Sequence, residues 1–560
     1  LIFYIMNWFS FKKKKLRNIN PDHIFLDSKN LPSLDEQQFE GRVEKPIKKP
    51  LIYLMGFIFL LIGTIFVWRV GLVQVIEGES FAKRSENNKL RHTVIFPERG
   101  NIYDRQGEEL AWNNEGREYY SGGGLSHILG FIGLPSDNDL LVGNYHPQEL
   151  IGKSGLEKQY QDILSGEKGL KIEEFNALGE IISSYLLKEN EAGKEIYLSI
   201  DLRLQEALFD IIAKLAEEEN FLGGSGILMN VKNGEILALA SYPEYDSNIM
   251  TKGNNLEKIR EYFSDNRFPF LNRSISGLYT PGSVVKPVMA SAALAENIIS
   301  VDKEIYSAGT LVVPNPYFPD RPSVFKDWRA HGNVDLKRAI AVSSNIYFYY
   351  IGGGYKDQKG LGIKKIEEYS RLFGYGEITG IDLPGEAKGI VPNPDWKADR
   401  FNNEPWRLGD TYNTVIGQYG FMITPLQVVR SIAIIASDGL ITKPTLLLDE
   451  KTFQSPLVLD LDKNVFQTVR EGMRMATTEG TALSLNVPYT KMAAKTGTAQ
   501  TGPGNRQVNS WITGFFPYDD PLYAYVIVME RGPSNTTRGG LTAIRQFLDW
   551  MYLNTPEYFD

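Results

Sequence analysis

Eighteen consecutive positions, 51–68, carry no charge and almost nothing polar, close to the ~20 residues an α-helix needs to cross a hydrocarbon core. Arg69 interrupts the run and apolar character continues weakly through residue 73, so a membrane helix is predicted over 51–72. Its uniform hydrophobicity separates it from an amphipathic core helix. Its length and its start fifty residues into the chain separate it from a cleaved signal. Residues 1–50 mix Lys, Asp, Glu, Asn and Pro without periodicity, which predicts a mostly disordered tail in which Met6 is as plausible a start as Leu1. Arg42, Lys45, Lys48 and Lys49 precede the span, with four lysines at 12–15 further upstream, against Arg69 and Lys83 after it. That bias predicts a single-pass protein of the cytoplasmic membrane, with the N-terminus inside and everything after residue 72 outside.

Beyond the span the pattern changes. Residues 97–107 (PERGNIYDRQG) predict a strand and turn, and residues 151–160 (IGKSGLEKQY) lead into a short helix. Gly122, Gly123 and Gly124 between them predict a flexible joint. Residues 195–200 have strand character. Residues 202–218 form an amphipathic helix with Leu204, Leu208, Ile211, Ile212 and Leu215 on one face. A hairpin is predicted from 225–231 and 235–241, with Lys232-Asn233-Gly234 at the turn. Helices dominate the middle; strands return at 492–499, 510–516 and 522–529, and a helix over 541–553 closes the chain. Strands at both ends with helices between predict one α+β domain, over 196–560, whose antiparallel sheet joins its first and last segments.

With 560 residues the chain has room for two or three domains. A formal charge of −8 leaves no basic footprint, which argues against nucleic-acid binding. The absence of cysteine excludes a thiol nucleophile, disulfides and cysteine-based metal sites. Five histidines, at 23, 92, 127, 146 and 331, show no zinc-binding spacing, so no metal or other cofactor is expected. No Gly-x-Ser-x-Gly elbow occurs, which argues against a Ser-His-Asp hydrolase. A serine enzyme built from this chain needs another base.

A lysine can be that base. Tyr279-Thr280-Pro281-Gly282-Ser283-Val284-Val285-Lys286 places a serine near a helix N-terminus with a lysine one turn on, so both side chains share a face. Ser-x-x-Lys alone is uninformative, recurring at Ser10, Ser80, Ser165, Ser300 and Ser323. Two further motifs give it weight: Ser343-Ser344-Asn345, sixty residues on, and Lys495-Thr496-Gly497-Thr498, whose Lys-Thr-Gly occurs once. Lys286 can take the Ser283 proton if it is neutral; burial and a second cation, Lys495, would both lower its pKa. Ser343 can pass a proton to a leaving amine, while Asn345 can bond Lys286 and a substrate backbone. Read alone, Ser343–Asn345 is more readily an ordinary helix cap. Lys495, Thr496 and Thr498 suit a carboxylate, and Gly497 would let an extended substrate approach the strand. The N–H groups of Ser283 and Thr498 form a candidate oxyanion hole. The set reads as serine acyl transfer.

On these residues the chain resembles a class B penicillin-binding protein over roughly 90–555. Arg99-Gly100, Ile102, Asp104-Arg105, Gly107, the run from Gly152 to Glu157, and residues 234–238 carry the resemblance with the three motifs. Gly417-Gln418 and residues 424–427 (TPLQ) add to it. The resemblance implies a penicillin-recognising serine D-Ala-D-Ala transpeptidase or carboxypeptidase domain behind a transmembrane helix and an elongated pedestal, over 73–195. It implies Ser283 as the acylated nucleophile, Lys286 as base, Ser343 and Asn345 as second motif, and Lys495, Thr496, Gly497 and Thr498 as the strand that binds the donor. Peptidoglycan stem peptides would be substrates and β-lactams inhibitors. Only thirteen residues separate Trp112 from Ser126, so the pedestal head is shortened or missing. The 151–160 and 409–418 blocks are more similar to the elongation subgroup, penicillin-binding protein 2, than to the division enzymes, which are the alternative. A β-lactamase would share the motifs, but no Glu-x-x-Leu-Asn segment is present to deliver water. A non-enzymatic β-lactam sensor would need a larger inner domain, whereas a scaffold role is compatible with catalysis. With no space for a glycosyltransferase of its own, the chain is expected to work with a polytopic membrane glycosyltransferase, docked through residues near 51–125.

Overall fold

In the computed structural model, residues 49–80, 83, 90–143, 145–176, 180–315, 318, 320–448, 457–502, 504 and 506–559 are described. The predicted tail, with all the basic residues before Lys49, lies outside them. The chain divides into two compact units, residues 1–90 and 91–560. In the first, helix α1 (Lys49–Gly71) continues as a π-helical turn, Leu72–Ile76. None of its side chains is buried by protein. At about 1.5 Å per residue, the 28 residues Lys49–Ile76 are long and apolar enough to cross a membrane.

The second unit opens with strands β1 (Leu90–Ile95), β2 (Ile102–Tyr103), β3 (Glu109–Asn113) and β4 (Arg117–Tyr119). Helix α2 (Gly155–Gln159) and strands β5 (Gly169–Phe175), β6 (Ile181–Lys188) and β7 (Ile196–Tyr197) follow. They form two small sheets, β1-β5-β6 and β4-β3-β2-β7. In the stretch where the head was expected to be shortened or missing, β3 and β4 close a tight hairpin, with Trp112 opposite Glu118 and Asn113 opposite Arg117. Two of the sequence blocks meet at one buried carboxylate. Glu157 accepts from Arg117 Nε at 2.7 Å and from Tyr119 Oη at 3.2 Å, and also pairs with Arg99 Nε. Asp104 Oδ2 accepts the Leu202 N–H at 3.1 Å, tying this region to the start of the next helix.

Gly122–Gly124 is not a flexible joint. A Cβ on Gly123 would lie 2.5 Å from the Phe209 ring, and one on Gly124 2.8 Å from Phe209 Cβ. The Gly124 carbonyl also accepts from Gln205 Nε2 at 2.6 Å. These glycines are required by the close approach of the chain to a helix, which no local pattern in the sequence reveals.

That helix is α3 (Leu202–Glu218), capped by Asp201, which accepts the Arg203 N–H. Strands β8 (Gly223–Asn230) and β9 (Ile236–Tyr242) form the predicted hairpin. A 3₁₀ turn (Gly282–Val285) leads into α4 (Lys286–Ala295), followed by α5 (Leu336–Ala341), α6 (Asn345–Gly353), α7 (Pro425–Ala436) and α8 (Lys463–Thr478). Strands β10 (Ala493–Thr501), β11 (Gln507–Phe516) and β12 (Tyr523–Pro533) and helix α9 (Gly540–Asn554) end the chain. The sheet order is β9-β8-β12-β11-β10, antiparallel throughout. Strand β8 pairs along its length with β12, from Gly223 opposite Glu530 to Asn230 opposite Tyr523. The first and last segments of the domain therefore share one sheet, as predicted.

Both faces of that sheet are covered, because successive side chains point to opposite sides. Ile227, Val526, Val528 and Trp511 pack with residues of α4 and α7 in one core. Their neighbours Leu228, Ile527, Met529 and Ile512 pack with Leu208, Ile212, Ile544 and Phe547 of α3 and α9 in another. The first core extends without a break to Ile102, Leu110 and Leu156, so the small sheets after the first unit do not form a separate globule.

Candidate active site

Three elements converge at the outer edge of the sheet. The 3₁₀ turn carries Ser283 at its second position, and Lys286 begins the following α-helix. The helix expected at Ser283 thus begins as a tighter turn, which keeps the serine and lysine on one face because 3₁₀ side chains eclipse at i and i+3. Trp511 Nε1 donates to the Thr280 carbonyl at 3.1 Å and the Gly282 N–H donates to the Gly417 carbonyl at 2.9 Å, pinning the turn from both sides. Ser283 is half-buried, whereas Lys286 is fully buried.

Ser343 lies between α5 and α6, with φ +58°. Non-glycine residues rarely adopt that conformation. Here it turns both the carbonyl and the hydroxyl of Ser343 toward Lys286. Lys286 Nζ donates to the Ser343 carbonyl at 2.8 Å and to Asn345 Oδ1 at 2.8 Å, and lies 3.3 Å from Ser343 Oγ. Lys495 Nζ donates to the same hydroxyl at 2.8 Å and to the Thr496 carbonyl at 2.8 Å. Ser343 Oγ is thus held between two buried amines. Among the described residues no hydrogen bond joins Lys286 Nζ to Ser283 Oγ; such catalytic contacts often tighten only when substrate is present.

Burial pushes Lys286 down to about 7, against an opposing pull from the Asp327 carboxylate. Lys495 is pushed well below the usual lysine range, first by burial and then by Lys286. Of the two causes expected for Lys286, burial lowers it, whereas Lys495 is itself pushed down by its own burial and by Lys286 and so does not stand as a fixed cation. A neutral Lys286 has two N–H bonds for its two 2.8 Å acceptors and a lone pair left for a proton.

Strand β10 is the edge strand, with Lys495 opposite Thr513 and Thr498 opposite Ser510 on β11. The side of Gly497 on which a Cβ would sit faces the protein. Its absent Cβ would lie 2.8 Å from Val284 Cγ1, 3.1 Å from the Pro281 carbonyl and 3.1 Å from Trp511 Cβ. The backbone it admits is the turn that carries Ser283. Thr496 directs its hydroxyl to Thr481 Oγ1 at 2.7 Å, whereas Thr498 is exposed. A Cβ on Gly282 would lie 3.2 Å from the Thr498 carbonyl, so the two segments whose N–H groups form the candidate oxyanion hole are neighbours.

One residue at this site carries no motif. Asp327, just after the strand Ser323–Lys326, has a fully buried side chain. Its Oδ2 accepts from Ser344 Oγ at 2.8 Å, from the Asn345 and Ile346 N–H groups at 2.9 and 3.1 Å, and from Ser307 Oγ at 3.2 Å. Its position, distant in sequence from all three motifs, offered no signal beyond the general habit of Asp to bond helix N-termini.

An edge strand bearing a lysine, a serine at the start of a buried helix and a Ser-x-Asn turn between them define a penicillin-recognising transpeptidase domain. Residues 224–548 match the penicillin-binding protein transpeptidase domain, and residues 114–198 match the penicillin-binding protein dimerisation domain. The chain belongs to the class B penicillin-binding proteins. It is 32% identical over 480 residues to the peptidoglycan D,D-transpeptidase MrdA of Salmonella typhimurium, covering 78% of this chain and 72% of that one. To the peptidoglycan D,D-transpeptidase FtsI of Escherichia coli it is 26% identical over 439 residues, covering 77% and 66%. Among solved structures it resembles penicillin-binding protein 2 of Helicobacter pylori in complex with MreC, with a TM-score of 0.71 and 29% identity, covering 83% of this chain and all of that one.

Proposed function

We propose that this chain is a membrane-anchored peptidoglycan D,D-transpeptidase of the elongation type, cross-linking stem peptides through an acyl-serine at Ser283 and acylated by β-lactams. The observation that carries the reading is Ser343 Oγ held between the buried amines of Lys286 and Lys495, beside the Ser283 turn. Neutral Lys286 takes the proton of Ser283 as Oγ attacks the D-Ala-D-Ala carbonyl carbon. The developing oxyanion is received by the Ser283 and Thr498 N–H groups. Ser343 hands a proton to the departing D-Ala amine, with Lys286 replenishing it. A second stem-peptide amine then attacks the acyl-serine and restores the hydroxyl; water in its place gives the carboxypeptidase product. Lys495, with Thr498 and Thr496, holds the donor carboxylate, and Asn345 holds Lys286 through Oδ1.

The higher identity to MrdA than to FtsI favours elongation and shape maintenance over division. We place the pedestal at 73–195 and the transpeptidase domain at 196–560, outside the membrane, with the N-terminus inside on the basic bias before the span. A polytopic glycosyltransferase is the proposed partner; the Helicobacter pylori relative is itself seen in a complex with MreC. Exchanging residues 51–72 for an unrelated membrane helix should lower co-purification of that glycosyltransferase, and undiminished recovery would remove the span from the contact.

An impermeant labelled penicillin added to spheroplasts should acylate Ser283, as read by mass spectrometry of the labelled peptide. Label on Ser343, or none retained, would overturn the roles; labelling only after lysis would overturn the orientation.

A further inference from the structure

The 327–331 segment grips the second motif. Asp327 Oδ2 holds Ser344 and the first two N–H groups of α6, and Trp328 Nε1 donates to the Val342 carbonyl at 3.1 Å. Both ends of the turn that contains Ser343 are thereby fixed to one loop. That turn has the unfavourable φ of Ser343 at its centre, and a strained residue persists only where its surroundings over-determine it.

We propose that Asp327 is a positioning residue for acylation: its buried carboxylate holds the 342–346 turn against Lys286 and supplies the negative charge against which Lys286 must give up its proton. The inference rests on the reading of Lys286 as the base. Among the described residues the charged and titratable groups around Lys286 are few. Lys495 faces it from β10, Asp327 and His331 from the 327–331 segment, and the Phe348 ring lies 5.3 Å from its Nζ on α6. His331 Nε2 lies 3.6 Å from Asp327 Oδ1. Burial pushes His331 below its ordinary value, so it is neutral where the enzyme works and does not cancel the carboxylate. Burial alone would push Asp327 up, but the Asn345 and Ile346 N–H groups and the Ser344 hydroxyl outweigh it and keep it ionised. Asp327 is thus the buried anion that opposes the desolvation of Lys286.

The test is the penicillin acylation rate of the full chain in detergent, as a function of pH, for wild type, Asp327→Asn and Ser344→Ala. Asp327→Asn should move the rising midpoint to lower pH by about one unit, the low end of the effect of a nearby charge. Ser344→Ala keeps the charge and removes one strong hydrogen bond; it should lower the plateau about tenfold with the midpoint unmoved. A purely structural Asp327 would lower the plateau and leave the midpoint in place, which overturns the electrostatic role. A wild-type plateau for Ser344→Ala overturns the positioning role, and it can be read even where Asp327→Asn does not fold. Lys286→Ala separates the levels. Retained acylation there refutes the base, whereas its loss together with an unmoved Asp327→Asn midpoint refutes only this inference.

Discussion

Lys286→Ala is expected to slow acylation of Ser283 by at least about 10²–10⁴-fold, the usual contribution of a positioned general base. The structure makes the loss specific to chemistry. Lys286 lies wholly inside the protein, and burial brings its pKa down to about 7. A base must be deprotonated to act; the wild-type rate should therefore rise with pH through about 7 and level off above it. Truncation also leaves the Ser343 carbonyl and Asn345 Oδ1 without their donor, which costs stability as well as rate. Lys286→Met, which fills the space without the amine, keeps the two effects apart. Stopped-flow acylation of either folded variant within tenfold of wild type would require another base.

Lys495→Ala is expected to weaken acylation by about 2–5 kcal/mol, or roughly 30- to 5,000-fold, if its partner is a desolvated carboxylate. A free amine this deeply buried is held neutral, and an arriving carboxylate supplies the counter-charge that lets it take up a proton. If Lys495 were the cation that lowers Lys286, its removal would displace the midpoint upward. In the folded chain burial lowers Lys286 and Asp327 opposes it, so the midpoint should remain near the wild-type value while the rate falls at every pH. An upward shift of a full unit on Lys495→Ala would restore the simpler two-lysine scheme.

Much of the molecule is legible along the chain. An uncharged run near residue 60 commits a helix to an apolar environment whatever surrounds it. The period of 3.6 over 202–218 and the apolar strands at 225–241 and 492–529 specify which faces must be buried, and the structure buries them, with Ile211 only half-buried. Ser283, Ser343, Asn345 and Lys495 stand out because three short motifs in a fixed order are far rarer than any one of them. The fold brings Lys286, Ser343, Asn345 and Lys495 within hydrogen-bonding distance.

What the chain does not show locally is what each group meets. Gly124 and Gly497 look like flexible or substrate-facing glycines in sequence, yet each is filled by a partner, Phe209 or Val284, from a distant segment. The strain at Ser343 and the role of Asp327 are equally invisible, since a lone aspartate in a loop has no period and no spacing to betray it. Above all, which lysine is neutral depends on how completely each amine is desolvated and on a carboxylate and a hydroxyl brought in by other elements. Propensity and hydrophobic period act between near neighbours and are written in residue order. Desolvation and Coulomb energies are sums over atoms that become neighbours only on folding, so only the tertiary structure could decide them.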